Sequence, residues 1–139
     1  MKRSFVLLFT LTVGVYLNAG TKSQPLELIK FKKINRPANY SIQKYSPYVN
    51  LKLTLKNNTE ETITAWKSLM KVRNAFNEEI LTIMLTSGDS QIKPGMTENA
   101  DFIWEDNQFI DDEPYDRLAT TSSENLKIDI SETKVVTKP

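Results

Sequence analysis

The sequence YVNLKLTLKNNTEETITAWKSLMKV, residues 48–72, decides the fold of this chain. Residues 49–56 alternate apolar and polar side chains, which predicts a β-strand with one buried face. Residues 57–61 are rich in Asn, Thr and Glu, and a second β-branched run begins at Thr62. We therefore predict a β-hairpin, with a bulge near residues 66–68 where the buried phase changes.

Shorter runs of the same kind continue on both sides of this stretch. They predict strands at residues 26–34, 80–86, 100–105 and 126–130, the last continued by Val135 and Val136. The all-apolar run 80–86 is typical of an interior strand, and Pro94-Gly95 of a type II turn. Residues 40–47 form a connection with room for one short edge strand, and Pro114 favours one helical turn through Leu118. The whole pattern predicts an all-β antiparallel β-sandwich of about seven strands.

The N-terminus has the layout of a secretory signal peptide. Lys2 and Arg3 precede an apolar run over residues 5–17, and small residues follow at 19–20. That run is shorter than the roughly 20 residues that cross a bilayer. We predict a signal peptide at 1–20 and one β-sandwich domain at 21–139, exported to the periplasm or secreted, with no membrane span after cleavage. An uncleaved anchor is the alternative.

Composition excludes several kinds of chemistry. The chain has no His and no Cys, so it cannot carry a Ser-His-Asp or Cys-His catalytic group, an ordinary zinc site or a disulfide. Its formal charge of +1 becomes −1 once Lys2 and Arg3 are removed, and this balance gives no sign of nucleic-acid binding. We expect neither a catalytic residue nor a bound cofactor.

Residues 49–104 resemble the small immunoglobulin-like sandwiches of exported bacterial proteins typified by FxLYD domains. The resemblance rests on LTLKNNT at residues 53–59, on Asn77-Glu78-Glu79, and on IKPGMT at 92–97 leading into Ala100-Asp101-Phe102. The family's Phe-x-Leu-Tyr-Asp motif is replaced by residues 66–72. This resemblance implies an immunoglobulin-like fold used for binding or assembly at the cell envelope, and it implies no catalytic residues.

A loop at residues 105–116 combines acidic and aromatic side chains. We select five of its residues as candidate binding residues: Phe109, Asp111, Asp112, Glu113 and Tyr115. Exposed aromatic side chains are common anchors of interfaces, but the same residues can pin a loop to the core. The carboxylates suggest a calcium site as a further hypothesis, although the spacing of an EF-hand is missing.

The first strand carries a second candidate surface, a basic face made by Lys30, Lys32 and Lys33. Lysines on a strand protect a sheet edge against further pairing, and they could also bind anionic groups of the envelope. The sequence thus favours a non-catalytic exported protein that binds a protein or a cell-envelope component. The alternatives are a small envelope hydrolase or calcium-dependent module using residues 105–116, and a secreted inhibitor of hydrolases.

Overall fold

The computed structural model describes residues 24–109, 111 and 113–139, and the Glu113 side chain is not among the parts described. The predicted signal peptide and Asp112 lie outside the described residues. Six strands are present in this part of the chain: β1 (Leu26–Arg36), β2 (Tyr48–Asn57), β3 (Thr62–Arg73), β4 (Glu79–Ser87), β5 (Thr97–Glu105) and β6 (Lys127–Lys138). One helix, α1 (Glu113–Thr120), and two short 3-10 turns, Tyr40–Ile42 and Ser123–Asn125, complete the structure.

The strands form two antiparallel three-stranded sheets. Their orders are β1-β2-β5 and β4-β3-β6. Fully buried side chains of both central strands meet in one core, among them Leu51 and Leu53 of β2 and Met70 and Val72 of β3. The predicted all-β class and the two antiparallel sheets are therefore confirmed, with six strands in the described residues rather than seven.

The predicted hairpin is wrong. Strand β2 pairs with β1 and β5, whereas β3 pairs with β4 and β6. Residues 58–61 carry the chain from one sheet to the other. The alternating pattern specifies that each strand has one buried face, but it does not specify which strand is its neighbour.

Asn57 explains why the chain turns away at this point. Its side chain is fully buried and donates to the backbone carbonyls of Glu61 (2.8 Å) and Ile92 (2.7 Å). Its Oδ1 accepts from the backbone N–H of Thr59 (2.8 Å) and from the Thr59 hydroxyl (2.7 Å). All of these groups belong to the crossover or to the segment before β5, so one amide joins three parts of the chain.

Three further predictions concern the bulge in β3, the Pro94-Gly95 turn and the position of β4 in its sheet. The bulge in β3 lies before the predicted residues 66–68, because its register with β6 shifts between Ile63 and Ala65 and leaves Thr64 as the extra residue. A second shift, between Lys67 and Leu69, places the extra residue in β6 instead. The Pro94-Gly95 turn is confirmed, since the Met96 N–H bonds the Lys93 carbonyl at 3.0 Å and Gly95 has a φ of 74°. However, β4 is an edge strand and not an interior one.

Strand connectivity places three connections at the same end of the two sheets. The segments 37–47, 74–78 and 106–126 all leave or enter strands there, and α1 packs at this end against β2 and β4 with Leu118 fully buried. We call it the helix end. The helix lies where Pro114 predicted it, but it continues to Thr120.

Candidate binding surface at the helix end

Exposed aromatic side chains are concentrated at the helix end. Among the described residues only four aromatic side chains are exposed: Tyr40, Tyr45, Phe76 and Phe109. All four lie in the connections of this end, and Phe109 is 97% exposed. The other end and both outer faces of the described sheets carry no exposed aromatic residue. Such a distribution is typical of an interaction surface, because large apolar rings in water are stabilised when a partner covers them.

The segment 37–47 has a defined shape that presents two of these rings. Asn39 and Lys44 exchange backbone hydrogen bonds of 2.7 and 2.9 Å, which close a compact loop between them. The Asn39 Oδ1 caps the 3-10 turn by accepting from the Ser41 N–H at 3.1 Å. Tyr40 and Tyr45 then lie with ring centroids 5.8 Å apart and planes tilted by 49°, an arrangement that aromatic pairs favour.

Two contacts hold this loop against the start of the acidic loop. The Asp106 N–H donates to the Pro47 carbonyl at 2.9 Å, and Lys44 Nζ lies 2.6 Å from Glu105 Oε1. The backbone bond extends the register of β2 and β5, in which Tyr48 faces Glu105, and the ion pair links the two side chains beside it. The two loops therefore form one continuous surface.

A cavity of about 620 Å³ opens between these loops. Tyr45 and Ser46 line one side, and residues 104–109 line the other. We define the aromatic cluster as Tyr40, Tyr45 and Phe109, because Tyr45 and Phe109 both border this cavity and Tyr40 contacts Tyr45. Trp104 forms the inner wall of the cavity, since it packs against the core. Its ring is tilted relative to that of Phe102, and the two ring centroids are 6.1 Å apart.

Acidic side chains contribute negative charge at this surface. Asp106 borders the cavity. Asp111 follows five residues later in the chain and is exposed. The pKa of the Tyr115 phenol is raised, first by burial and then by the charges of Asp106 and Asp116. Burial is the larger cause, and the smaller contribution of the two carboxylates shows that they oppose a further negative charge at this position.

The structure separates the five residues selected in the acidic loop. Phe109 is fully accessible for binding, whereas Tyr115 is half-buried on α1 and packs against the core. Asp111 is exposed, Asp112 lies outside the described residues, and Glu113 begins α1. Among the described residues no three acidic side chains lie close enough together to hold a metal ion. The calcium site stays a prediction.

The basic face predicted on β1 is wrong in one of its three members. Lys30 and Lys32 point outward, where they line a groove of about 600 Å³ together with Lys52. Lys33 has the opposite orientation, because neighbouring residues in a strand alternate between faces. Its Nζ donates to the carbonyls of Leu118 and Ala119, both at 3.1 Å, and to that of Thr121. Lys33 therefore caps α1.

Sequence reasoning missed Tyr40, Tyr45 and Phe76. Residues 40–47 and 74–79 lack a strand period, so the sequence predicts connections there, and that pattern does not mark their aromatic side chains as a surface. The available signal was the presence of large aromatic side chains in segments without buried periodicity, since such residues have no face of a strand to hide on.

Comparisons with protein-family models, with curated proteins and with solved structures find no match for this chain. The resemblance of residues 49–104 to FxLYD-like sandwiches therefore stays a prediction. No helix in the described part of the chain combines the length and the apolar character needed to cross a membrane.

Proposed function

We propose that this chain is an exported, non-catalytic binding protein with an immunoglobulin-like sandwich, and that its helix end binds a protein or another component of the cell envelope. The observation that carries the proposal is the location of every exposed aromatic residue of the described chain at that end. Export is inferred from the signal-peptide layout of residues 1–20.

The strand order supports the immunoglobulin-like part of the proposal. In an immunoglobulin fold, strands A, B and E share one sheet, while C and F share the other, with C′ beside C in the variable type. The sheets β1-β2-β5 and β4-β3-β6 follow that order if β1 to β6 correspond to A, B, C, C′, E and F. The crossover at Asn57 then corresponds to the B–C connection.

The chemistry of the surface favours a partner that combines an apolar anchor with cationic groups. The rings of the aromatic cluster offer flat apolar area and attract cations at their faces. Asp106 borders the same cavity, and Asp111 adds charge of the same sign. A segment of a partner protein with Lys or Arg beside an aliphatic residue fits both properties.

A capture experiment with matched variants tests the proposal. The mature protein is immobilised and exposed to a solubilised envelope extract, and each captured component is identified and then titrated against purified protein by calorimetry. We expect a stoichiometric partner whose affinity falls at least tenfold in the variant Tyr40→Ser/Tyr45→Ser/Phe109→Ser. Buried aromatic anchors typically contribute about 2 kcal/mol or more, and about 1.4 kcal/mol already corresponds to a tenfold change in affinity.

The control variant Ile29→Ser/Met96→Ser/Val136→Ser removes three other exposed apolar side chains, none of them at the helix end. It should bind as the parent protein does. Equal affinity of both variants would show that the partner uses a different surface. Hydrolytic turnover by the purified protein that disappears on neutralising Asp111 and Glu113 would replace binding with catalysis as the function.

A further inference from the structure

The two sheets leave four edge strands in the described chain: β1, β5, β4 and β6. An edge strand has a row of unpaired backbone N–H and C=O groups that can pair with another strand, and proteins usually protect it with charges or bulges. Three of the four edges are protected in this way. Strand β1 has a bulge at Ile29 beside Lys30 and Lys32, and β5 carries Glu98, Asp101 and Glu105. Strand β6 has charged residues throughout and an irregularity at Glu132, which has a φ of 49°.

Strand β4 differs from the other three edges. It has no charged residue between Ile80 and Ser87, and it has no Pro or Gly. Its exposed residues are Glu79 at the start and then Thr82, Met84 and Thr86, while Ile83 and Leu85 are half-buried on the inward face. The register with β3 is continuous from Trp66 to Val72, and the one shift in this pairing places a bulge at Ile80, so the edge is uninterrupted over Leu81–Ser87. A straight, uncharged and apolar edge is a template for strand pairing.

The sequence of β4 indicates which strand fits this edge. In an antiparallel pair of two identical strands centred on Met84, Thr82 of one copy faces Thr86 of the other, and Ile83 faces Leu85. Met84 then faces Met84. Each pair joins two exposed residues or two half-buried aliphatic residues. Thr–Thr and aliphatic pairs are among the cross-strand pairs that stabilise sheets. The strand is therefore complementary to itself.

The surroundings of β4 are compatible with such pairing. Helix α1 contacts β4, and the buried residues Ile80 and Leu81 lie at the N-terminal end of β4. The stretch Thr82–Ser87 alternates exposed and half-buried side chains. Beside this stretch a cleft of about 310 Å³ separates β4 from β5, with Leu53, Trp66 and Phe102 among its lining residues. No β-strand of the described chain covers this side.

We propose that β4 pairs antiparallel with β4 of a second copy of this chain, giving a two-fold symmetric dimer with one continuous six-stranded sheet. The two-fold axis of an antiparallel strand pair is perpendicular to the sheet, so the β1-β2-β5 sheets of both copies lie on the same side. Pairing of a single strand makes a small interface, typical of weak association. The proposal concerns an edge of the β4-β3-β6 sheet, whereas the aromatic cluster lies in loops that adjoin β1, β2 and β5, and it does not depend on the proposed function.

Sedimentation of the mature protein at increasing concentration tests the dimer. We expect the weight-average mass to rise toward twice the monomer mass between about 10 μM and 1 mM, the range of weak interfaces. The variant Thr82→Glu/Thr86→Glu should stay monomeric, because it places like charges opposite each other twice across the interface. Both residues are exposed and lie opposite Lys71 and Lys67 of β3, so we expect the variant to fold.

A second variant makes the test specific for this register. Thr82→Lys/Thr86→Lys should also be monomeric alone, but mixing it with the Glu variant should restore dimers that contain one copy of each. The control Asn99→Glu/Asp101→Lys changes exposed residues of β5 and should dimerise as the parent does. A parent protein that stays monomeric over the whole range would overturn the proposal. So would a dimer that survives in the Glu variant, or a mixture that stays monomeric while both variants are folded by circular dichroism.

Discussion

Lys33 of β1 donates from its Nζ to the carbonyl oxygen of Leu118 at 3.1 Å, across a separation of 85 residues in the chain. The same ammonium also bonds the carbonyls of Ala119 and Thr121, and the Asn35 side chain adds a bond of 2.9 Å to Ala119. The last carbonyls of a helix have no partner within the helix, and a cation is favourable there. Burial lowers the pKa of Lys33. Strand β1 thus anchors the helix that forms one side of the helix end.

Replacing Lys33 should loosen α1 without unfolding the sheets. We expect Lys33→Met to lower the free energy of unfolding by about 1–2 kcal/mol, since it leaves several helix carbonyls without a charged donor. The matched change Lys32→Met removes an exposed, unpaired lysine one residue away and should cost less than about 0.5 kcal/mol. Urea unfolding followed by circular dichroism measures both values. Equal values for the two variants would contradict the capping role.

The case of Lys33 shows what sequence patterns can and cannot predict in this protein. Strand positions were largely correct because the alternation of side chains follows from burial of one face. The same alternation places Lys33 on the face of Phe31 and opposite to Lys32, so its inward orientation was available from the sequence. Its partner was not, because the position of α1 relative to β1 depends on packing across the whole chain.

Sheet membership was the main error, for a related physical reason. A four-residue connection suits both a hairpin and a crossover between sheets, and the buried contacts of Asn57 favour the crossover. The candidate site was predicted in part. Phe109 is exposed as a binding residue should be, but the neighbouring rings of Tyr40 and Tyr45 come from a distant segment that β2 and β5 bring alongside.

Asn57 should be the most sensitive polar position of the fold. Asn57→Ala removes four hydrogen bonds from a fully buried site; the Thr59 N–H loses its acceptor, while the Ile92 carbonyl keeps only its bond from the Ile63 N–H. Such bonds contribute about 0.5–1.5 kcal/mol each, so we expect a loss of roughly 2–4 kcal/mol in the free energy of unfolding.

Asn58→Ala is the matched control for this position. Its amide bonds Gln24 and Glu27 near the surface, and its loss should cost less than about 1 kcal/mol. Chemical denaturation of the two variants and the parent gives both differences. A similar loss in both variants would mean that the crossover is held by backbone contacts instead of by the buried amide.

Glu132 offers a change that should stabilise the protein. Its φ of 49° is left-handed, which is unfavourable for a residue with a Cβ atom, and its side chain is exposed. Glu132→Gly removes that strain but increases the freedom of the unfolded chain, so the net gain should be modest, up to about 1 kcal/mol.

Lys134→Gly is the corresponding control, two residues along the same strand in extended conformation. There the substitution brings only the entropic cost and should destabilise by roughly 0.5–1 kcal/mol. Opposite signs for the two changes in thermal unfolding support the assigned backbone conformation. A loss of stability in Glu132→Gly as large as that in Lys134→Gly would contradict it.

Tyr115 should make the stability of the fold sensitive to alkaline pH. Burial, with the charges of Asp106 and Asp116, raises the phenol pKa above its ordinary value of 10.0. The folded state therefore holds this proton more tightly than the unfolded state does, and the stability that results is fully present below pH 10.0. It is lost as the pH rises from there through the folded-state pKa.

We expect Tyr115→Phe, which keeps the ring, to reduce this alkaline loss of stability, and Asp106→Asn/Asp116→Asn to lower the phenol pKa toward its ordinary value. Ultraviolet titration of the phenolate and urea unfolding at a series of alkaline pH values measure the two effects. An unchanged titration in the double Asn variant would show that burial alone raises the pKa, and that the acidic groups of the helix end act too weakly on Tyr115 to influence a ligand there.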